Sequence, residues 1–261
     1  ASYPTFDLTL FSGGISTADY ARLTAAGNGD PLLSRAVAGQ YAPGSTFKLV
    51  SASADVMSGA ATLSGKYACP GSMNVGGIVK TNFDSEGYSY PLTLQQALAV
   101  SCDTWFYSFA AQDWSADQQR ADDGQPPVEG LQQMAREFGF ASAPNVDLPA
   151  DEQAAGSIAG RESRQQNWEA NKQEYCDEAA SGYPDEPDPT KRAYLVQLAS
   201  ENCTDGWRYR MSDNADLAIG QGETTVSPLQ LAVAYSALVN GGTIWNPTIG
   251  WAVADSAGKI V

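Results

Sequence analysis

Apolar positions recur at helical spacing in several stretches of the 261-residue chain and lose all periodicity in one long one. Phe47-Lys48-Leu49-Val50, with the small-residue run Ser51 to Met57 behind it, reads as a buried helix that Gly59 stops. Pro91 to Val100 carries Leu94 and Leu98 on one face, and a second helix begins at Ser101 and runs through Trp105, Phe106, Tyr107 and Phe109. These aromatics at helical spacing are expected in the core. Val128 to Phe138 is amphipathic and ends at Gly139. Ser227-Pro228 opens a strong helix, Leu229 to Val239, closed by Asn240-Gly241-Gly242. A short helix is expected over 17–27. Residues 5–14 read as a strand and a turn, and Thr243 to Trp245 and Ile249 to Val253 as strands, with Trp245 and Trp251 packing a sheet. Residues 60–90, rich in Gly, Ser and Asn, and residues 113–126 read as loops. Residues 141–216 are acidic and aperiodic, and are expected to be an insertion or a set of surface excursions. Order returns at Leu217 to Gly222.

The length is enough for a sizeable core, as one large domain or two modest ones. A net charge of −15, with about half the acids between Asp147 and Asp216, argues against a nucleic-acid or anionic-membrane surface. The acidic run itself is expected to be a solvated face. No apolar stretch is long enough to span a bilayer, and no signal peptide opens the chain, whose start at Ala1-Ser2-Tyr3-Pro4 reads as that of a mature or excised piece. The four cysteines form no Cys-x-x-Cys pair. Well-separated and even in number, they fit disulfides in an oxidising compartment, with Cys176 and Cys203 stapling the acidic segment and Cys69 and Cys102 as the other pair. Four buried reduced thiols are the alternative.

The candidate chemistry starts from an absence. The chain has no histidine, so a Ser-His-Asp triad is ruled out. A serine hydroxyl is a weak nucleophile until a base takes its proton. Ser45-Thr46-Phe47-Lys48 offers another base, because residues at i and i+3 share a helix face. A buried lysine amine can lose its proton near neutral pH. Ser45 at the start of a helix would also meet the positive dipole end, which favours an oxyanion. The plain alternative is that Ser45 is only a helix N-cap. Ser256-Ala257-Gly258-Lys259 repeats the spacing without the turn or the helix.

A serine–lysine site needs a second polar group to relay the leaving-group proton. Ser-x-[Asn/Asp] occurs at Ser53, Ser72, Ser101, Ser115, Ser200 and Ser212, so the pattern alone selects nothing. Context selects Ser101-Cys102-Asp103, at a junction between two apolar helices. Ser212-Asp213-Asn214 instead lies directly before Gly220-Gln221-Gly222.

These segments closely resemble the transpeptidase domain of class B penicillin-binding proteins. The matching stretches are Tyr3 to Asp7, Tyr41 to Lys48, Leu92 to Tyr107, Gly220-Gln221-Gly222 and Ser227 to Gln230. Asp103 followed by Thr104-Trp105-Phe106-Tyr107 resembles the elongation-type branch. The resemblance implies an α/β penicillin-binding/β-lactamase-like fold, an antiparallel sheet flanked by helices plus an all-helical subdomain. It implies Ser45 as the acylated nucleophile, Lys48 as its base, Ser101 as proton relay, Asp103 contacting Lys48 and a substrate amide, and Gly222 in substrate binding. It implies peptidoglycan stem peptides as substrates, β-lactams as inhibitors, a SEDS-family glycan polymerase as partner, and no cofactor. It also implies a location on the extracytoplasmic face of a bacterial membrane, anchored by a segment outside this chain.

Two departures stand out. No Lys-[Ser/Thr]-Gly occurs, the nearest string being Lys80-Thr81-Asn82, so residues 1–261 are expected to be the N-terminal part of the domain. The acidic segment 141–216 has no counterpart function in the family. A β-lactam sensor of the same superfamily is a second reading. A class D-like serine β-lactamase is a third, although class D enzymes do not normally carry Ser-x-Asp, and no glutamate sits where class A enzymes carry theirs.

Overall fold

The computed structural model describes residues 3–260; Ala1, Ser2 and Val261 lie outside the described residues. Its elements in chain order are α1 (Thr17–Leu23), α2 (Lys48–Met57), β1 (Lys66–Tyr67), β2 (Ser72–Val75), β3 (Ile78–Thr81), β4 (Leu92–Thr93), α3 (Leu94–Ala99), α4 (Asp103–Asp122), α5 (Gly130–Glu137), α6 (Arg161–Ser181), α7 (Pro189–Asp205), α8 (Met211–Ala218) and α9 (Pro228–Val239). Short 3-10 turns occupy Leu8–Phe11, Gly44–Phe47 and Ala150–Glu152.

The chain forms two compact units. The first comprises residues 3–43, 135–157 and 224–260. Here backbone bridges pair Tyr41 with Val226 and Ser157 with Thr225. Ser227 and Gln230 cap α9 reciprocally, and the buried Gln230 amide then donates to the carbonyl oxygens of Ser142 and Ala155 at 2.7 Å each. The carboxylate of Asp147 accepts from the N–H groups of Ile249 and Gly250, both at 2.6 Å.

The second unit comprises residues 44–134 and 158–223. α4 is its spine. Trp105 and Phe106 are fully buried, and Phe109 packs against Trp105 with ring centroids 4.5 Å apart. Beside it lie two small antiparallel ladders, β1–β4 and β2–β3. α6 and α7 form a helical hairpin closed by the Cys176–Cys203 disulfide.

Several expectations need correction. Residues 5–14 contain a 3-10 turn and no strand, because the Asp7 carboxylate captures the Thr9 N–H at 2.9 Å and curls the backbone. Residues 60–90 hold a hairpin. Gly76-Gly77, with φ of +61° and +92°, supplies the two-residue turn whose twist suits paired strands. α4 continues through the predicted 113–126 loop until just before Gly124. Most of the 141–216 stretch is helical. α6 is polar all round and shows no apolar stripe to read. It is held by the disulfide, by side-chain pairs such as Gln173–Asp177 (2.8 Å), and by Trp168, whose Nε1 donates to Asn202 O at 2.7 Å. No ladder forms over 243–253 among the described residues, and Trp245 and Trp251 are 69% and 92% exposed rather than packed on a sheet. No described helix is long and apolar enough to cross a membrane.

Candidate active site

The Ser45 turn comes first. Gly44–Phe47 is a 3-10 turn, and α2 begins at Lys48. Ser45 is therefore not the N-cap of α2; Phe47 holds that position. In a 3-10 turn the side chains at i and i+3 eclipse, which lines Lys48 up with Ser45 more closely than an α-helical turn does. The Lys48 ammonium nitrogen lies 3.1 Å from Ser45 Oγ.

Ser101 reaches the same point from the α3–α4 junction. Its backbone is left-handed, φ +54°, an uncommon state for a residue with a Cβ. Both flanking helices impose it. Ser101 N–H donates to Leu98 O at 3.2 Å and Cys102 N–H to Ala97 O at 2.9 Å, closing α3. Cys102 Sγ then accepts from Trp105 N–H at 3.3 Å as the N-cap of α4. Cys102 is also disulfide-bonded to Cys69. Asn82 holds the residue just past the triplet by accepting from Thr104 N–H at 3.0 Å, while its amide donates to Pro70 O at 3.1 Å. The Ser101-Cys102-Asp103 triplet is thus fixed by two helix ends, a disulfide and a buried asparagine. Ser101 Oγ lies 2.9 Å from Ser45 Oγ and 2.9 Å from Lys48 Nζ.

Lys48 is 1% exposed and donates also to Ser101 O at 2.9 Å and to Asp103 Oδ1. An ammonium has three donors for these four acceptors, so its hydrogen bonds are shared. Burial holds the Lys48 amine below the usual lysine range, and the hydrogen bond and charge of Asp103 push back against that fall. Asp103 lies in the first turn of α4, where a helix accommodates negative charge. The Phe106 ring lies 5.7 Å from the amine and closes the buried side.

A pocket of about 270 Å³ opens over Ser45, walled by Asn82, Tyr88, Val100, Ser101 and Gln221 among others. Gly220 seats the Ser45 turn, as its carbonyl accepts from Gly44 N–H at 2.8 Å. Its φ is +69°, and a Cβ there would stand 2.3 Å from Gly44 O. Gly222, with φ +72°, lies against Asp216 Cβ, and it is Gln221 that borders the pocket. Gln221 and Asn82 are polar neighbours that the sequence reading did not single out. For Gln221 the signal was present in Gly220-Gln221-Gly222; for Asn82, inside a supposed loop, there was none.

The rival triplet is used elsewhere. Ser212-Asp213-Asn214 opens α8, and buried Asn214 bonds Gln132 Nε2 at 3.0 Å, Tyr209 OH at 3.1 Å and Ala110 O at 2.9 Å. Lys80, on β3, pairs with Asp216 at 2.6 Å. Both predicted disulfides are formed.

Residues 1–260 match the family described as "Penicillin binding protein transpeptidase domain". Among curated relatives, the chain is 27% identical over 244 residues to a peptidoglycan D,D-transpeptidase MrdA of Acinetobacter baumannii, a match covering 93% of this chain and 28% of that protein. Among solved structures it resembles Pseudomonas aeruginosa PBP2 in complex with WCK 5153, at TM-score 0.66 and 25% identity, covering 95% of this chain and 44% of that one. It also shares the fold of Helicobacter pylori PBP2, solved in a complex with MreC, at TM-score 0.70 and 22% identity, covering 95% and 36%.

Proposed function

The chain belongs to the penicillin-binding-protein transpeptidase family, and on that premise we propose that it is the acyl-transfer unit of an elongation-type peptidoglycan D,D-transpeptidase that β-lactams acylate. The observation that carries the reading is the contact of Lys48 Nζ with both Ser45 Oγ (3.1 Å) and Ser101 Oγ (2.9 Å) in a chain without histidine.

Lys48, as the neutral amine, takes the Ser45 proton while Oγ attacks the carbonyl of the penultimate D-Ala of a stem peptide. The amide to the terminal D-Ala breaks. The proton passes from Lys48 through Ser101 to the departing amine, and D-Ala leaves. The amine of a second stem attacks the Ser45 ester, and its proton returns by the same relay to Ser45 Oγ. Asp103 holds Lys48 in place and sets how readily it gives up its proton. A β-lactam acylates Ser45 in the same way, but its leaving group stays attached. Gly222 belongs, on this reading, to the turn that receives the substrate. Lys-[Ser/Thr]-Gly does not occur in these residues, so the reading leaves the strand that binds the substrate carboxylate to be supplied from outside them.

The chain spans about 28–33% of the length of the curated relatives it matches, so the anchoring and assembly of the whole protein are likewise part of the proposal. Two disulfides fit an extracytoplasmic site, and a SEDS-family glycan polymerase is the partner the reading calls for.

The test is an exchange assay on the full-length protein, with a stem pentapeptide ending in D-Ala-D-Ala and a labelled D-amino acid as acceptor. Release of one D-Ala per label incorporated, lost in Ser45→Ala, supports the reading. Release of D-Ala without incorporation would make the protein a carboxypeptidase, and no release would remove the assignment.

A further inference from the structure

One wall of the pocket over Ser45 has a chemistry that the acyl-transfer machinery does not use. Phe83 lines that pocket and is fully exposed, at 102%. A phenyl ring left in water forgoes the gain of burial, and recovers it when a ligand's methylenes cover it. Asp84 and Glu86 line the same edge. Neither belongs to an ion pair among the described residues. No Lys or Arg is among the pocket's lining residues, since Lys48 is buried and paired with Asp103.

The loop is clamped, so it presents these groups at a fixed place. Asn82 N–H donates to Gly71 O at 3.1 Å, and the Asn82 amide donates to Glu86 O at 2.5 Å. Tyr88 N–H donates to Cys69 O at 2.8 Å, and Cys69 is bridged to Cys102 inside the Ser101 triplet. A Cβ on Gly87 would stand 2.2 Å from Gly71 N, so the two backbone segments touch there. Asp84 Oδ1 accepts from Glu86 N–H at 3.0 Å, which leaves the other oxygen of Asp84 turned to solvent or ligand. The clamps serve the fold; a ring in water and two unpaired carboxylates add nothing to it.

We propose that Phe83, Asp84 and Glu86 are specificity-determining residues that receive, from the acyl donor, a side chain of methylenes ending in an ammonium with no free carboxylate beside it. This rests on the transpeptidase reading. The ring covers the methylenes and the carboxylates face the ammonium. In a stem peptide that side chain belongs to the diamino residue before the reacting D-Ala, either lysine-like or a diaminopimelate whose end carboxyl is amidated. A free carboxylate at that end would face Asp84 and Glu86 and be repelled.

The test acylates the full-length protein with three penicillins whose amide side chains match in length and end in an ammonium, a neutral acetamide or a carboxylate. Stopped-flow rate constants are expected to fall in that order, with the ammonium ahead of the carboxylate at least about fivefold. Raising salt from about 0.05 M to about 0.5 M should compress that ratio towards one, because exposed charges are screened. Asp84→Asn combined with Glu86→Gln should compress it likewise. A ratio taken within one variant is independent of how fast that variant acylates. Phe83→Ala should slow the acetamide penicillin at least about twofold relative to 6-formamidopenicillanate, which has no chain, and Phe83→Leu should restore it. Release of D-Ala from stem pentapeptides carrying lysine, amidated diaminopimelate or free diaminopimelate then distinguishes the sources, with the first two expected ahead of the third. Equal rates for the ammonium and carboxylate penicillins, or a ratio that neither salt nor the double variant moves, overturns the inference. No acylation of Ser45 by any of the three penicillins instead overturns the transpeptidase reading.

Discussion

Gly44 and Gly220 meet backbone to backbone: the Gly44 N–H donates to the Gly220 carbonyl at 2.8 Å, and a Cβ on Gly220 would lie 2.3 Å from Gly44 O and 2.7 Å from Phe47 Cβ. The turn that carries Ser45, the proposed nucleophile, is therefore seated on a residue 176 positions after Gly44 that has no room for a side chain. Gly220→Ala adds a methyl group in a left-handed conformation against backbone, at a cost of about 1–3 kcal/mol. Its melting temperature should fall by several degrees, and its rate of penicillin acylation should drop more than tenfold, about 1.4 kcal/mol in the barrier. A variant that melts lower but acylates normally would show that this contact supports the fold and not the site.

Lys48 predicts a pH profile. On the proposed mechanism acylation needs the neutral amine, so the rate is expected to rise with pH through the Lys48 pKa, which burial places below the usual lysine value. Asp103 raises that pKa through its hydrogen bond and its charge. Removing the charge in Asp103→Asn lowers it, so the rising limb moves to lower pH even though the maximal rate falls. Stopped-flow acylation from pH 5 to pH 10 reads both effects. A limb that does not move, or moves upward, contradicts the role given to Lys48.

A different carboxylate pair governs stability. Asp55 on α2 and Asp113 on α4 line a second pocket, about 360 Å³, and Asp55 Oδ2 is buried without a partner among the described residues. Burial, then the charge of Asp113, raises the Asp55 pKa from 3.8 to about 8. Burial raises Asp113 as well. Between pH 4 and 8 the folded state then holds more protons than the unfolded chain, so these groups make stability fall as pH rises through that window. Asp55→Asn should flatten the fall and raise the melting temperature at pH 8 relative to wild type. Parallel melting curves at pH 5 and pH 8 would exclude the shifted pair.

The Cys69–Cys102 bridge closes a loop with a sequence separation of 33, worth about 3–4 kcal/mol of chain entropy, and Cys102 lies between Ser101 and Asp103. Cys69→Ser combined with Cys102→Ser should lower the melting temperature and slow acylation together. Breaking Cys176–Cys203 should leave acylation of Ser45 near wild type, because that bridge closes the α6–α7 hairpin away from the site. Equal loss of acylation in both double variants would remove this distinction.

Much of the site could be read before the fold. The candidate residues Ser45 and Lys48 were legible because the chemistry demands a base in a chain without histidine, and Ser101 and Asp103 because their triplet stands at a junction of two apolar helices and resembles the family's second motif. The helices with an apolar face were legible for the reason any amphipathic stripe is. α6 was not, because its stability comes from a disulfide, side-chain pairs and one tryptophan, none of which leaves a period in the sequence. The β2–β3 hairpin hid in glycine-rich sequence, although Gly76-Gly77 was its turn. Asn82 could not be found at all from sequence, since its role depends on Pro70, Glu86 and Thr104 meeting in space.

The central claim is that Ser45 is acylated with Lys48 as its base. The most direct measurement is peptide mapping by mass spectrometry after benzylpenicillin treatment of the full-length protein. Trypsin releases residues 36–48, in which Ser45 is the one serine. The account predicts the intact penicilloyl mass on that peptide, absent in Ser45→Ala and strongly reduced in Lys48→Arg, whose guanidinium does not deprotonate. An adduct on another peptide, or one that survives Ser45→Ala, would contradict it.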